Sequence, residues 1–572
     1  MRRSTHVSFL FFLITHFAFV SQAQPRLKNY PQDYFRDPLN IPISLSGNFG
    51  ELRPGHYHMG LDIKTMAKQN LPVYAAADGY VARIKIEPAG FGRAIYINHP
   101  NGFTTLYAHL NDFIPALEIW LKEQQYKQQR WNVFLNLPSG LFPVKKGDLI
   151  AYSGTTGGSQ APHLHFEVRR TADDVNLNPL LFGFPLADGV RPSILRLALY
   201  DRNKSTYEQS PRIYPVKRSA EGVYTLPGII ASASNRVSFA ISAYDTHTGS
   251  SNLNGIYEAR LYHNGTLVSG FQLGEVSYNT TRYINANIDY KTRANGGSFF
   301  QHLSELPGYL NSIYFKPAGD GVIDISDGAV HDIKITAADT YGNVSELNFR
   351  VQHTGAVVTA AVPAGKVFYP LMVDVYEGDA CEFYIGETCL YDSVHIRESH
   401  TASSNPVVVS AVHTIGAAYI PLQDSFLVRI KPSKPLPPEK RQHVVMQRFA
   451  GRETDVEKVE WTGDWASAKF RDFGSFQLVL DETPPVITPA GISEGADLGK
   501  AARIAFTVSD NLESFKNFRA LLDGKWLRFT NDKGRTFIYR FDEMCLPGEH
   551  ELQVSVEDEA GNTAVKTYRF RR

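Results

Sequence analysis

The chain has 572 residues, 43% of them hydrophobic, and carries 58 basic side chains against 58 acidic ones. At roughly 100–200 residues per domain, that length exceeds a single core and predicts three to five domains. The balanced charge and ordinary apolar content leave nothing to mark the chain as a nucleic-acid binder or a disordered tail, and no nucleic-acid partner is expected.

The N terminus reads Met-Arg-Arg, then an apolar run from Val7 to Val20 broken by His16, then Ser21-Gln22-Ala23. A basic start, a short apolar segment and small residues at positions minus three and minus one predict a secretory signal peptide over 1–23, cut after Ala23. The run is shorter than the roughly 20 residues that span a bilayer. No Cys sits near the cut for lipid attachment, and no later stretch is apolar enough to cross a membrane. The mature chain is therefore expected to lack a transmembrane segment and to be exported, to the periplasm, the cell envelope or the medium.

Residues 24–187 hold short strand-like runs between Gly, Pro and Asn, such as Val73-Tyr-Ala-Ala76 and Ala94-Ile-Tyr-Ile97, and predict a compact antiparallel sheet. Within it the pattern turns helical, with Ile114, Leu117 and Leu121 at helix spacing and Pro115 near the start, which predicts a helical insert over 111–142. Beyond residue 188 alternating strands dominate, so the fold class is mainly β. Two stretches read as copies of one unit. One runs from Val237–Asp245 to Ile333–Asp339 with Gly342-Asn343, the other from Ile504–Asp510 to Leu552–Asp558 with Gly561-Asn562. Each ends as the hairpin edge of a sandwich does. This predicts Ig-like β-sandwiches over 188–355 and 481–572, with an accessory β-rich domain over 356–480. The Asp turns are read as turn chemistry, with calcium binding as the alternative. Three cysteines, Cys381, Cys389 and Cys545, are too few for a disulfide scaffold or a Cys-rich zinc site, and a Cys381–Cys389 bridge stays open.

Three clusters in the first domain carry chemistry: His58-Met-Gly-Leu-Asp62, Leu106-Tyr-Ala-His109-Leu110 and Ala161-Pro-His163-Leu-His165-Phe-Glu167. A catalytic zinc takes three protein ligands and keeps a fourth position for water, so a His, a carboxylate and a second His suffice. On a strand His163 and His165 share a face. Singly, each cluster is more often a surface pair or a satisfied turn.

Together and in this order they resemble peptidase family M23, the lysostaphin and LytM-type peptidoglycan endopeptidases. The family pattern is His-x-x-x-Asp, Tyr-x-His and His-x-His. The resemblance extends to Gly47-Asn-Phe-Gly50 with Arg53, Pro72–Gly79, His99–Gly102, Val144–Ile150 and Gly154-Thr-Thr-Gly157, about 150 residues in all. It implies Zn2+ held by His58, Asp62 and His165, with His109 and His163 as the catalytic pair, in either order. Zinc lowers the pKa of a bound water to about 7 and polarises a carbonyl; an imidazole can take the proton and an imidazolium can steady the oxyanion.

His56 lacks an Asp four positions on and is read as a rim residue, His99 as a turn residue, and Glu167 as an orienting carboxylate rather than a general base. The insert departs from the family and bears on specificity. The resemblance thus implies hydrolysis of peptidoglycan cross-links or stem peptides, with an envelope protein as a further partner for the sandwiches. The alternatives are a non-catalytic activator of a cell-wall amidase, and an adhesin or scaffold with a vestigial peptidase.

Overall fold

Alternating apolar and polar residues make strands the main regular structure of the described chain, residues 30–355 and 363–572 of this computed structural model. The signal peptide expected over 1–23 lies outside the described residues. Among the described residues no helix is long and apolar enough to cross a membrane.

The first domain is built on one antiparallel sheet. Its strands are β1 (Leu45–Gly47), β2 (Leu61–Lys64), β3 (Gly79–Ile86), β4 (Arg93–Asn98), β5 (Phe103–Ala108), β6 (Val133–Asn136) and β7 (His163–Arg170). They lie in the order β1-β2-β7-β5-β4-β3-β6. A smaller sheet of Pro72–Tyr74, Leu149–Ser153 and Leu110–Phe113 completes the domain. β7 shows why this sequence folds as it does: Leu164, Phe166 and Val168 are fully buried in the core. The period of two then sends His163, His165, Glu167 and Arg169 to the opposite face.

The stretch between residues 111 and 142 is only partly helical. Helix α1 (Pro115–Gln128) starts with Pro at its first turn and ends where Gln129 turns left-handed; it buries Leu117, Leu121 and Gln125. The chain then re-enters the sheet as β6, with Val133 and Leu135 buried.

Two more sheets hold most of the strands between Ser193 and His353, and two others most of those between Asp374 and Leu480, where Val394–Ile396 pairs separately with Lys366–Phe368. Their apolar side chains form one continuous core, into which the first domain inserts Phe49, Tyr57 and Met59. Backbone pairing also crosses this junction, Asn176–Leu177 against Glu275–Val276. The last two sheets, from Val486 to Arg571, close around a separate core. This final unit folds back onto α1: Lys122 pairs with Asp542 and Glu543 at 2.7 and 2.6 Å, Arg528 and Arg519 reach Gln125 and Gln129, and Tyr126 meets Trp526 edge to face. Cys381, Cys389 and Cys545 are buried and free.

Candidate active site

The register of β7 against β2 and β5 gathers the proposed residues at one end of the sheet. Asp62 lies directly across from His165, and Ala108, the residue before His109, pairs with His165 on the other side. His58 arrives on the turn ahead of β2. Gly60 lets that turn pass against β7, since a Cβ there would stand 2.4 Å from the Phe166 carbonyl oxygen. His109 itself has φ of 60°, a left-handed backbone that costs a non-glycine residue about 1–3 kcal/mol and concentrates at functional sites. Its amide donates to Phe91 O at 3.0 Å and its Nδ1 to Thr156 O at 2.9 Å.

His58 Nε2, Asp62 Oδ1 and His165 Nδ1 converge, with separations of 3.0, 3.1 and 2.9 Å around the triangle. Their outward atoms are engaged by the protein. His58 Nδ1 donates to Asn48 O at 2.7 Å, His165 Nε2 donates to Glu167 Oε1 at 2.9 Å, and Arg53 Nη2 donates to Asp62 Oδ2 at 2.6 Å. Neutral His58 therefore turns its Nε2 lone pair inward, and His165 Nδ1 does the same once it gives up its proton, the tautomer a metal ligand needs. Zinc bonds of roughly 2.0–2.1 Å set tetrahedral ligand edges near 3.3 Å. Two imidazoles and a carboxylate so placed could hold a metal and leave a fourth corner free. On that side His163, the most exposed of the five, has Nε2 3.4 Å from Asp62 Oδ1, and its ring lies 4.7 Å from that of His109.

The electrostatics separate these groups. Burial pushes His58 down to about 4. Burial, with the charges of His165 and His163, pushes His109 down to about 3, so both are neutral at neutral pH. His165 moves the other way: burial opposes its charge, but hydrogen bonds to Asp62 and Glu167 outweigh it and raise the ring to about 9. Asp62 is held well below the usual carboxylate range, its burial outweighed by the histidines around it, His58 first.

Behind His165 lies a buried polar chain. Glu167 accepts from Arg169 Nε and Asn176 Nδ2, each at 2.7 Å, and from Tyr278 Oη at 2.6 Å. Tyr278 belongs to the following β-domain. Its change to Phe removes one hydrogen bond to a buried carboxylate, but the tyrosine ring is partly exposed and Arg169 and Asn176 remain. The full chain is expected to lose about 1 kcal/mol of stability, read by denaturant unfolding.

A second distant residue braces the other side. Lys533, from the last domain, points Nζ at the carbonyl oxygens of Thr155, Gly157 and Ser159 at 2.5, 3.0 and 2.8 Å. The same loop supplies Thr156 O to His109, and Ser159 Oγ lies 3.3 Å from His163 Nδ1. Lys533→Ala is expected to cost about 1–2 kcal/mol and to expose residues 154–162 to limited proteolysis, with metal content unchanged.

The other histidines stand apart. His56 is exposed, its Nδ1 on Pro54 O, while His99 is buried between Asp78 O and Thr105 Oγ1. Asn48, Arg169, Tyr278 and Lys533 were not singled out by sequence. Asn48 lay inside the Gly47–Gly50 motif and Arg169 on the face shared by His163 and Glu167; nothing local marks the other two.

The family model for peptidase family M23 matches residues 56–124 and 142–179, and that for a Zu5-like domain matches residues 366–481. The DD-carboxypeptidase/endopeptidase Mpg of Neisseria meningitidis serogroup B is 36% identical over 119 residues, 21% of this chain and 21% of Mpg. The cell division protein DipM of Caulobacter vibrioides is 30% identical over 122 residues, 21% of this chain and 16% of DipM. The chain thus spans about a fifth of the length of the curated relatives it matches. Among solved structures, the catalytic domain of lysostaphin from Staphylococcus simulans aligns at 24% identity over 27% of this chain and 92% of that one, with a TM-score of 0.17. Residues 56–124 and 142–179, whose His and Asp residues gather at one end of the sheet, are thus similar to peptidase family M23.

Proposed function

We propose that this chain is a zinc-dependent endopeptidase that hydrolyses peptide bonds of peptidoglycan, in cross-links or stem peptides, at the exported face of a cell envelope. The observation that carries the reading is the convergence of His58 Nε2, Asp62 Oδ1 and His165 Nδ1 beside two further imidazoles that hold none of the three inward positions. Zinc bound there would acidify a water and polarise the scissile carbonyl. His58, Asp62 and His165 fix its place, and Asn48 and Glu167 fix the two imidazoles.

His109, neutral and tethered through Nδ1–H to Thr156 O, offers Nε2 as a proton acceptor. His163 stands at the mouth of the site, its Nδ1–H engaged by Ala161 O at 2.9 Å, where a substrate carbonyl would approach. Their rings, 4.7 Å apart, are close enough for both to serve one bond. Glu167, fully buried and in contact with His165, orients that ring. Tyr278 and Lys533 make the β-domains part of the support.

A relative named as a peptidoglycan DD-endopeptidase, 32% identical over 111 residues, supports the substrate class. Purified muropeptides test it: the zinc-loaded chain should cut cross-linked dimers or shorten stem peptides. Binding without cleavage, coupled to stimulation of a wall amidase, would favour the activator reading instead.

A further inference from the structure

The domain junctions carry a second kind of polar cluster, far in chemistry from the histidines. Asp188 sits in the segment joining the first domain to the next, Asp245 follows the strand Arg236–Tyr244, and Asp339 follows Val330–Ala338. One carboxylate oxygen from each lies within 4.8 Å of the others. Asp245 and Asp339 are each only 6% exposed. Among the described residues none of the three forms an ion pair. Three like charges brought out of water with no counter-charge repel and pay a desolvation cost. Burial, then Asp339 and Asp188, push the Asp245 carboxyl up to about 8.

An independent observation points to a ligand. Asn254, 5% exposed, lines the same small cavity as the three aspartates, and its Oδ1 has no hydrogen-bond partner, nor has Asp245 Oδ1. Buried oxygens without donors are rare in folded proteins and call for an explanation. The cavity, about 10 Å³, has room for one small particle. The remaining oxygens are fixed in place: Asp339 Oδ1 accepts from the Tyr341 and Asn343 amides, both at 2.9 Å, and Asp188 Oδ1 from Val190 N at 2.9 Å. His247, on the cavity wall, is held toward its neutral form by burial and nearby Lys64.

The construction recurs. Asp481, in the segment before the last domain, Asp510 and Asp558 bring oxygens within 4.8 Å, and Asp481 Oδ2 and Asp510 Oδ1 are buried without partners. In both clusters an Asn ties the turn Asp to the joining segment. Asn343 Nδ2 reaches Asp339 Oδ2 at 2.7 Å and Asp188 O at 3.3 Å; Asn562 Nδ2 reaches Asp558 Oδ2 and Asp481 O, both at 2.9 Å. The repeat argues against an accident of turn geometry.

We propose that Asp188, Asp245, Asp339 and Asn254 form a calcium site that locks the first domain to the β-domain after it, and that Asp481, Asp510 and Asp558 are its repeat at the last junction. All the donors are hard oxygens, which suit Ca2+ rather than zinc. Oxygens bound at about 2.4 Å to one ion lie at most about 4.8 Å apart, as these do. The first site also adjoins the peptidase domain. Asn48 Nδ2 donates to Gly255 O at 2.8 Å and Gly255 N to Asn48 Oδ1 at 2.9 Å, and Asn48 O is the carbonyl that holds His58.

The test is calcium titration of the full, zinc-saturated chain by calorimetry, with thermal melts alongside. Wild type is expected to bind Ca2+ and to melt a few degrees higher with it. Asp245→Asn should bind one ion fewer and, without calcium, melt no lower than wild type, since it relieves repulsion while keeping shape. Asn254→Ala, which leaves every carboxylate, should weaken the first site about tenfold or more. Absence of calcium binding at millimolar concentration, or an Asp245→Asn chain that binds as many ions as wild type, would overturn the proposal.

Discussion

Asp62→Ala and His165→Ala are expected to lose zinc and, with it, all measurable hydrolysis. Each removes one of three inward-facing donors, so affinity should fall by more than the 10–100-fold typical of changes to residues that only orient a ligand. His109→Ala and His163→Ala leave the donor triangle intact and should keep zinc while turnover drops roughly 10²–10⁴-fold. Metal analysis of the four variants beside a cleavage assay separates the two groups. Loss of zinc from the His163 variant and its retention in the His165 variant would reverse the assignment of the pair. Uptake should also depend on pH. A ligand must be deprotonated, and His165 in the metal-free chain is raised to about 9. Apparent affinity should therefore climb about tenfold per pH unit toward 9, with about one proton released per zinc at pH 7, measurable by calorimetry in buffers of different ionisation enthalpy.

Glu167→Leu should be the most damaging change to stability near the site. Glu167 is fully buried and Arg169 is 4% exposed. Removing one partner of a buried pair leaves an uncompensated charge, typically costing about 3–5 kcal/mol. Asp174 still meets Arg169 Nη1 at 2.8 Å, which argues for the lower end. The protonation equilibrium agrees. Burial would raise Glu167, but Arg169 first, then His165 and Tyr278, hold it at about 2 against an ordinary 4.5, equivalent to about 3 kcal/mol. Because the folded value is depressed, this stabilisation is present above pH 4.5 and is lost as pH falls from there to about 2. Denaturant unfolding of the metal-free chain should show the wild-type advantage over Glu167→Leu at pH 7 and its shrinkage across that window.

The site was legible where local spacing decides geometry. The alternation in His163-Leu-His165-Phe-Glu167 says which side chains share a face, and β7 puts them there. Spacing could not say that Asp62 pairs across from His165, because register is set by the whole sheet. β6 was missed because a four-residue strand directly after a helix offers too short a run to outweigh the helical pattern. The repeated Asp-Gly-Asn turns were visible as turns. Their third partners, Asp188 and Asp481, come from joining segments with no pattern of their own. Tyr278 and Lys533 reach the site only through docking of separate domains, which no spacing in a single chain encodes.

The most direct test of the central claim is digestion of purified sacculi by the full chain, with the products identified by mass spectrometry, before and after metal removal and again after zinc is restored. Soluble muropeptides are expected from the zinc-loaded chain, none from the stripped chain, and recovery on adding zinc, with new free amino or carboxyl ends in the peptides and the glycan strands uncut. Release that continues undiminished without metal, or intact peptides from a chain shown to hold zinc, would contradict it.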